Sequence, residues 1–300
     1  MNSKLYFSVV LPVFVMCALG AQAATRTWSG NGDGVSFNDP ANWDAAVLAG
    51  DDLVIGSDTA ITLDNNLGSV PTPFELNSIT VGGSGAMEIT GNPVLFTTAA
   101  EGWFFTTSNA GGVTTRIDFL LPNNTGQDAV TLTCGHATTG NAWNHYGRIA
   151  AEGNTTVRFY LQGSTTYLYG NVELPNGTAR GYTTINTSAL HIYGKMTAKA
   201  WTQQTWDARG KVYFYSKGNQ LGWVEARMGD IYVETADAFN EDVQFAAGYW
   251  DGSRHYLDNC ARLTVSKLTS PWSTANLQGD IAYPGHAIYG LTGDNTFIYR

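Results

Sequence analysis

The sequence predicts an all-β fold: a single right-handed parallel β-helix with an N-terminal cap. Three observations lead there. Short apolar or alternating runs, rich in β-branched and aromatic residues, recur between Gly, Asn, Asp and Ser. Gly accounts for 34 of the 300 residues and charged residues for only 14%, a turn-rich balance, while 12% aromatic residues supply material for a core. No stretch of about ten or more residues sustains a helical period; residues 198–209 come nearest, and their Trp, Thr and Gln residues break it. A β-sandwich is the competing architecture. It relies on hairpin turns, and Asn-Gly or Asp-Gly pairs are few, with Asn176-Gly177 and Asp251-Gly252 the clearest. Very short strands that cannot bury an apolar face alone favour coils stacked on coils. At roughly 20–25 residues per coil, the chain predicts about 11–12 coils.

Residues 1–23 read as a secretory signal. Lys4 is their only charge, residues 5–19 are apolar apart from Ser8, and Ala21-Gln22-Ala23 is an A-x-A cleavage signature. The apolar run is shorter than the ~20 residues of a spanning helix, so cleavage after Ala23 is expected, with no membrane span afterwards. The formal charge is −9, and losing Lys4 makes the mature chain one unit more negative. Such a surface repels nucleic-acid phosphates. Residues 24–300 are expected to form one β-helical domain, because no Pro-rich, Ser-rich or charged linker divides them.

Residues 24–50 are the expected cap. The stretch TRTWSGNGDGVSFNDPANWD (25–44) holds Trp28 and Trp43 around a Gly- and Asn-rich turn. A stack of strands exposes apolar side chains at its end, and two tryptophans suit the task of covering them. A calcium loop is the rival reading, since Asn31-Gly32-Asp33-Gly34 begins such a pattern. Val35 then occupies the third ligand position and no Glu follows. After the cap, strands are expected at residues 52–55, 60–63, 78–81, 86–89, 116–120, 157–161, 167–169, 190–193, 212–215 and 231–233. Cys134 and Cys260 remain after cleavage, and their separation leaves pairing open.

Several of these segments carry a family pattern. Trp28-x-Gly30 and Asn42-Trp43 are followed by Gly50-Asp51 with Val54, then Ile79-x-Val81-Gly82 and Met87-x-Ile89-x-Gly91. Near the C-terminus, YGLTGDNTF (289–297) matches the start of a G-x-N-T-(Y/F) repeat. The chain resembles bacterial secreted β-helix proteins of the autotransporter-associated β-strand repeat type. The resemblance implies an extracellular or surface β-helix, here a short or truncated member. It carries no catalytic residue over to this chain.

The residues themselves name no reaction. The five histidines form no H-E-x-x-H or H-x-H pattern, and neither a nucleophile elbow nor a phosphate loop occurs. No catalytic residue, metal site or cofactor is therefore expected. Two expected loops collect Trp, Tyr, His and Arg, side chains that stack on sugars and bind them through hydrogen bonds. One contains Trp143, His145, Tyr146 and Arg148; the other contains Trp250, Asp251, Arg254 and His255. These eight are the candidate carbohydrate-binding residues, and the bland alternative is that they pack onto the coils. The main functional expectation is an exported or cell-surface structural or adhesin-like protein without catalysis. Its expected partners are polysaccharides or other cell-surface components. The alternative is a carbohydrate-binding or polysaccharide-degrading β-helix. A degrading enzyme should bring two carboxylates, or a carboxylate and a Lys or Arg, together beside exposed aromatics. Asp207, Asp230, Glu234 and Asp251 qualify by residue type. Residues 286–300 still read as strand and turn, which predicts an under-capped end and end-to-end self-association.

Overall fold

Period-two alternation, one side chain in and the next out, is what lets each short run bury half of itself against the runs above and below. The computed structural model describes residues 23–98, 102–123, 130–136, 140–183, 187–205, 210–226, 230–235, 238–240, 243–247, 254–256, 262–265, 267–269, 287–289 and 296–299. These residues form a parallel β-solenoid with no α-helix among them. Each turn visits three faces. The first complete turn is Asp52–Gly56, Ile61–Asn65 and Phe74–Leu76; the next is Ser78–Gly82, Met87–Gly91 and Val94–Phe96. Leu53 sits on Ile79, Ile61 on Met87 and Phe74 on Val94, all in parallel register. The second face continues as a ten-stranded ladder. About seven turns stack among the described residues. This is short of the 11–12 expected for the whole chain, whose C-terminal part is described only in separate short strands.

The first and third faces merge into one sheet of 15 strands. The cause lies in the later turns. Val172–Thr183 and Met196–Thr205 each run around the corner, pairing first as the third face and then as the first, with a register shift between Leu174 and Thr178. The stretch nearest to a helix in sequence is therefore a strand as far as Thr205. Its side chains show why: Trp201 and Gln203 are buried while Thr202 between them is not, a period of two rather than 3.6.

The core is a set of vertical columns. Leu53, Ile79, Phe105, Cys134 and Phe159 stack on the first face, and Met87, Val113, Trp143, Thr166, Leu190 and Val212 on the second. All are buried. Cys134 is a free thiol held in this column, and burial pushes its pKa well above the usual thiol value; Cys260 lies outside the described residues.

The N-terminal end is covered as the tryptophans suggest. Trp28 and Trp43 are buried and meet edge to face at 5.0 Å, and Phe37 packs against Trp43 at 5.4 Å. The Trp43 indole donates to the Phe37 carbonyl at 2.8 Å. The polar residues of the loop are spent on the loop itself. Asn42, fully buried, accepts from the Gly32 and Gly34 amides and donates to Asp33 Oδ1 and the Ser36 carbonyl. Asp33 Oδ1 also accepts from the amides of Val35 and Ser36, and these hydrogen bonds hold its carboxyl well below the usual carboxylate range. The carboxylate that a calcium loop would aim at an ion is aimed at backbone N–H groups instead. Beneath the cap, Arg26 pairs with Asp51 at 2.6 Å, and Asp51 also accepts from the amides of Ala24 and Leu48.

Replacing Trp43 by Ala is expected to cost about 3–5 kcal/mol, the usual range for emptying a large buried site, read from chemical denaturation; an unchanged midpoint would refute the cap. A second expectation concerns pH. Burial pushes the imidazole of His145 down to about 3 and that of His136 down to about 4, so both stay neutral in the fold. Below the unfolded value of ~6.5, only the unfolded chain gains these protons. The stability is thus complete above pH 6.5 and drains away as pH falls toward the folded values, by roughly 1.4 kcal/mol per pH unit for each histidine. Denaturation midpoints at pH 7 and pH 5 should diverge, and His145→Phe should reduce the divergence; an equal pH response in wild type and variant would contradict the assignment.

Candidate functional site

The outer surface of the second face is built by the same register that orders the core. Tyr167, His191, Tyr213 and Tyr232 are successive partners in the ladder, so their outward side chains fall in one column. Their rings stack at 4.8, 4.6 and 4.5 Å between centroids, with interplanar angles of 19°, 3° and 14°. One position beyond the strand ends runs a second column. Tyr146, Tyr169, Tyr193 and Tyr215 each donate a backbone N–H to the turn before, and their rings stack at 4.4, 5.0 and 4.4 Å. The columns touch sideways, with the imidazole of His191 3.2 Å from the Tyr215 hydroxyl.

A tight corner aligns the second column. Tyr146, Tyr169 and Tyr193 are each followed by glycine, and these glycines sit against one another's backbones. A Cβ on Gly147 would lie 1.9 Å from the Ile117 carbonyl oxygen, one on Gly170 1.8 Å from that of Gly147, and one on Gly194 1.9 Å from that of Gly170. Only hydrogen fits, so these three turns pivot at the same height and present their tyrosines at the same place; Tyr215, followed by Ser216, extends the column without a glycine. This recurrent Tyr-Gly pair is the signal that could have revealed the column from sequence.

Toward the N-terminal end both columns change character. The tyrosine column gives way to Arg116, whose guanidinium lies 4.3 Å over the Tyr146 ring and pairs with Glu88. The other column continues through Asn144, Thr114, Glu88 and Thr62. These polar side chains, with Ala60, Ala86, Gly112 and Ala142 beside them, line a shallow groove of about 530 Å³. A second groove, of about 550 Å³, lies on the third face, where Arg148 and Glu173 meet apolar residues such as Leu121 and Pro122. Arg148 Nε pairs with Asp118 at 2.8 Å, and Nη1 reaches Glu173 at 3.4 Å. The hydrogen bond that Arg148 donates to Asp118 raises the arginine's pKa further, as the one to Glu88 does for Arg116; neither guanidinium serves as a base.

The candidate carbohydrate-binding residues separate. Trp143 and His145 belong to the strand Ala142–His145 rather than to a loop, and both point inward, almost fully buried. Thr115 Oγ1 serves both: it accepts from the Trp143 indole at 2.9 Å and lies 2.7 Å from His145 Nδ1, while His145 Nε2 is buried without a hydrogen-bond partner. They cannot meet a ligand at the surface. Tyr146 and Arg148 are on the surface, the first in the ring column and the second in the ion pairs just described. Trp250 and Asp251 lie outside the described residues. Arg254 and His255 fall in the strand Arg254–Tyr256, at the register positions of Asp230 and Ile231. Of the carboxylates singled out by type, Asp207, like Asp251, lies outside the described residues, while Glu234 follows Tyr215 along the tyrosine column.

The stacking decides what this surface offers. A sugar packs on the face of an aromatic ring, and here the ring faces between Tyr146 and Tyr215, and between Tyr167 and Tyr232, are turned toward one another. The column presents ring edges to solvent, and its Arg116 end is covered by the guanidinium. The open polar ground is the groove beside it. The chain matches no family model, no curated protein and no solved structure.

Gly170→Ala is expected to destabilise the fold by about 1–3 kcal/mol, the cost of overpacking a closed site. It should also weaken the near-UV circular dichroism of the stacked tyrosines. A variant with wild-type stability and spectrum would show that the glycine column does not set the corner.

Proposed function

We propose that this protein is an exported or cell-surface β-helix with a structural or adhesin-like role and no catalytic activity. The observation that carries this reading is the pair of aromatic columns. They spend their ring faces on one another, which stiffens the stack along its length. The charged groups follow the same logic: Glu88 is paired with Arg116, and Arg148 with Asp118 and Glu173, so these three carboxylates are engaged by guanidinium groups. The A-x-A signature at Ala23 and the N-terminal pattern resembling autotransporter-associated β-strand repeat proteins support export.

A second reading has its own support. The groove on the second face is lined by the carboxylate of Glu88 and the amide of Asn144, and the Arg116 guanidinium that pairs with Glu88 lies over the exposed Tyr146, a set of donors and acceptors suited to a polysaccharide of a cell surface. That convergence is also what a degrading enzyme would show. The ion pair favours holding a sugar over attacking one, because a base must be free to take a proton. Screening the secreted protein against a polysaccharide panel for both retention and release of reducing ends separates these readings. Retention without cleavage is expected. Asn144→Ala should weaken any retention several-fold, and cleavage products that vanish in Glu88→Gln would replace the structural reading with an enzymatic one. End-to-end association belongs to the same proposal, and sedimentation across a concentration series tests it: a monomer throughout would remove it.

A further inference from the structure

The tyrosine column has a property that neither stiffness nor ligand binding uses. Tyr146, Tyr169 and Tyr193 are 42%, 37% and 41% exposed, so an oxidant in solution reaches their edges. Each has a second phenol fixed beside it, Tyr146–Tyr169 at 4.4 Å and 12°, Tyr169–Tyr193 at 5.0 Å and 14°, and Tyr193–Tyr215 at 4.4 Å and 6°. We propose that this column is an oxidative cross-linking site, at which a haem peroxidase using hydrogen peroxide joins neighbouring tyrosines of one chain as dityrosine.

The chemistry balances with that oxidant. Removal of one electron and the phenolic proton from each of two tyrosines leaves two phenoxyl radicals, with unpaired spin on the ring carbons ortho to oxygen. An ortho carbon of one ring forms a carbon–carbon bond with an ortho carbon of the other. Each ring then moves its displaced hydrogen to oxygen and becomes aromatic again. Two tyrosines lose two electrons and two protons in all, and one peroxide takes them up to give two waters.

Geometry favours coupling within the chain. A radical formed at Tyr169 has partners on both sides at contact distance, which replaces a bimolecular encounter by an intramolecular one. The glycine corner aligns Tyr146, Tyr169 and Tyr193, and the ring edges of all three are exposed. The neighbouring column offers only the pair Tyr213–Tyr232 at 4.5 Å, because His191 separates Tyr167 from Tyr213, and those two rings are less exposed than Tyr146, Tyr169 and Tyr193. Each bond formed would tie one turn of the solenoid to the next.

The test treats the dilute full-length chain with a haem peroxidase and hydrogen peroxide. Dityrosine fluorescence is expected in the monomer fraction, at a rate per molecule that does not change on dilution. The intact mass should fall by two hydrogens per bond, and peptide mapping should join Tyr146 to Tyr169, Tyr169 to Tyr193, or Tyr193 to Tyr215. Tyr169→Phe keeps a ring in the stack, and an unchanged far-UV spectrum confirms its fold. This variant should retain only the Tyr193–Tyr215 bond, and adding Tyr215→Phe should remove that as well. Cross-links found only between chains, bonds mapping to other tyrosines, or undiminished coupling in the double variant would each overturn the proposal.

Discussion

The distance between hydrogen-bonded strands, about 4.8 Å, governs this molecule inside and out. A parallel register places equivalent side chains of successive turns at that spacing. In the interior it stacks Leu53 on Ile79 and Ile79 on Phe105. On the outer surface it sets flat rings 4.4–5.0 Å apart along the tyrosine column, close enough to stack with a slight offset. No turn is stable by itself, because each shows apolar faces both upward and downward. The cap built from Trp28, Phe37 and Trp43 follows from the same constraint, since the stack must end somewhere without leaving those faces wet.

The strands that announced themselves in sequence are those with one uniformly apolar side. Leu53 and Ile55, Ile79 and Val81, Met87 and Ile89 alternate with more polar neighbours and lie in strands as expected. The cap was legible for a similar reason: two tryptophans around a turn rich in Asn and Asp have few other uses. Trp143 and His145 were harder to place. Asn141, Asn144 and Gly147 around them look like loop residues, and an inward histidine becomes tolerable only because Thr115, a full turn earlier, supplies its partner. That pairing depends on the register and is invisible along the chain.

The ring columns escaped notice for a different reason. Tyr146, Tyr169, Tyr193 and Tyr215 recur at unequal intervals, and the residue before each changes from His to Leu, Ile and Phe. Only the face they occupy is constant. Since the residue preceding each tyrosine points inward and needs only to fill space, its identity drifts while the outward ring persists. The glycine that follows Tyr146, Tyr169 and Tyr193 is held by the nearest backbone, and it gives way to Ser216 only after Tyr215. Polar capping of the column by Arg116 and Glu88 was equally hidden, because the two lie in consecutive turns.

The corner between the third and first faces differs along the stack, and the difference bears on how the chain tolerates changes in length. Early turns leave that corner by a connection, the longest running from Leu120 to Val130, and the register step there reaches 29 positions, from Phe105 to Cys134. Later turns cross it within a single strand, and the step shrinks to 22, from Ala179 to Trp201. An inserted residue at an early corner lengthens a loop and leaves both ladders in phase. The same insertion within a later strand, after Ala179, would break the pairing of Arg180, Gly181 and Tyr182 with Thr202, Gln203 and Gln204 and turn the exposed Arg180 inward. The solenoid therefore has a permissive half, where segments can be grafted or lost, and a phase-locked half, where variation is confined to substitution.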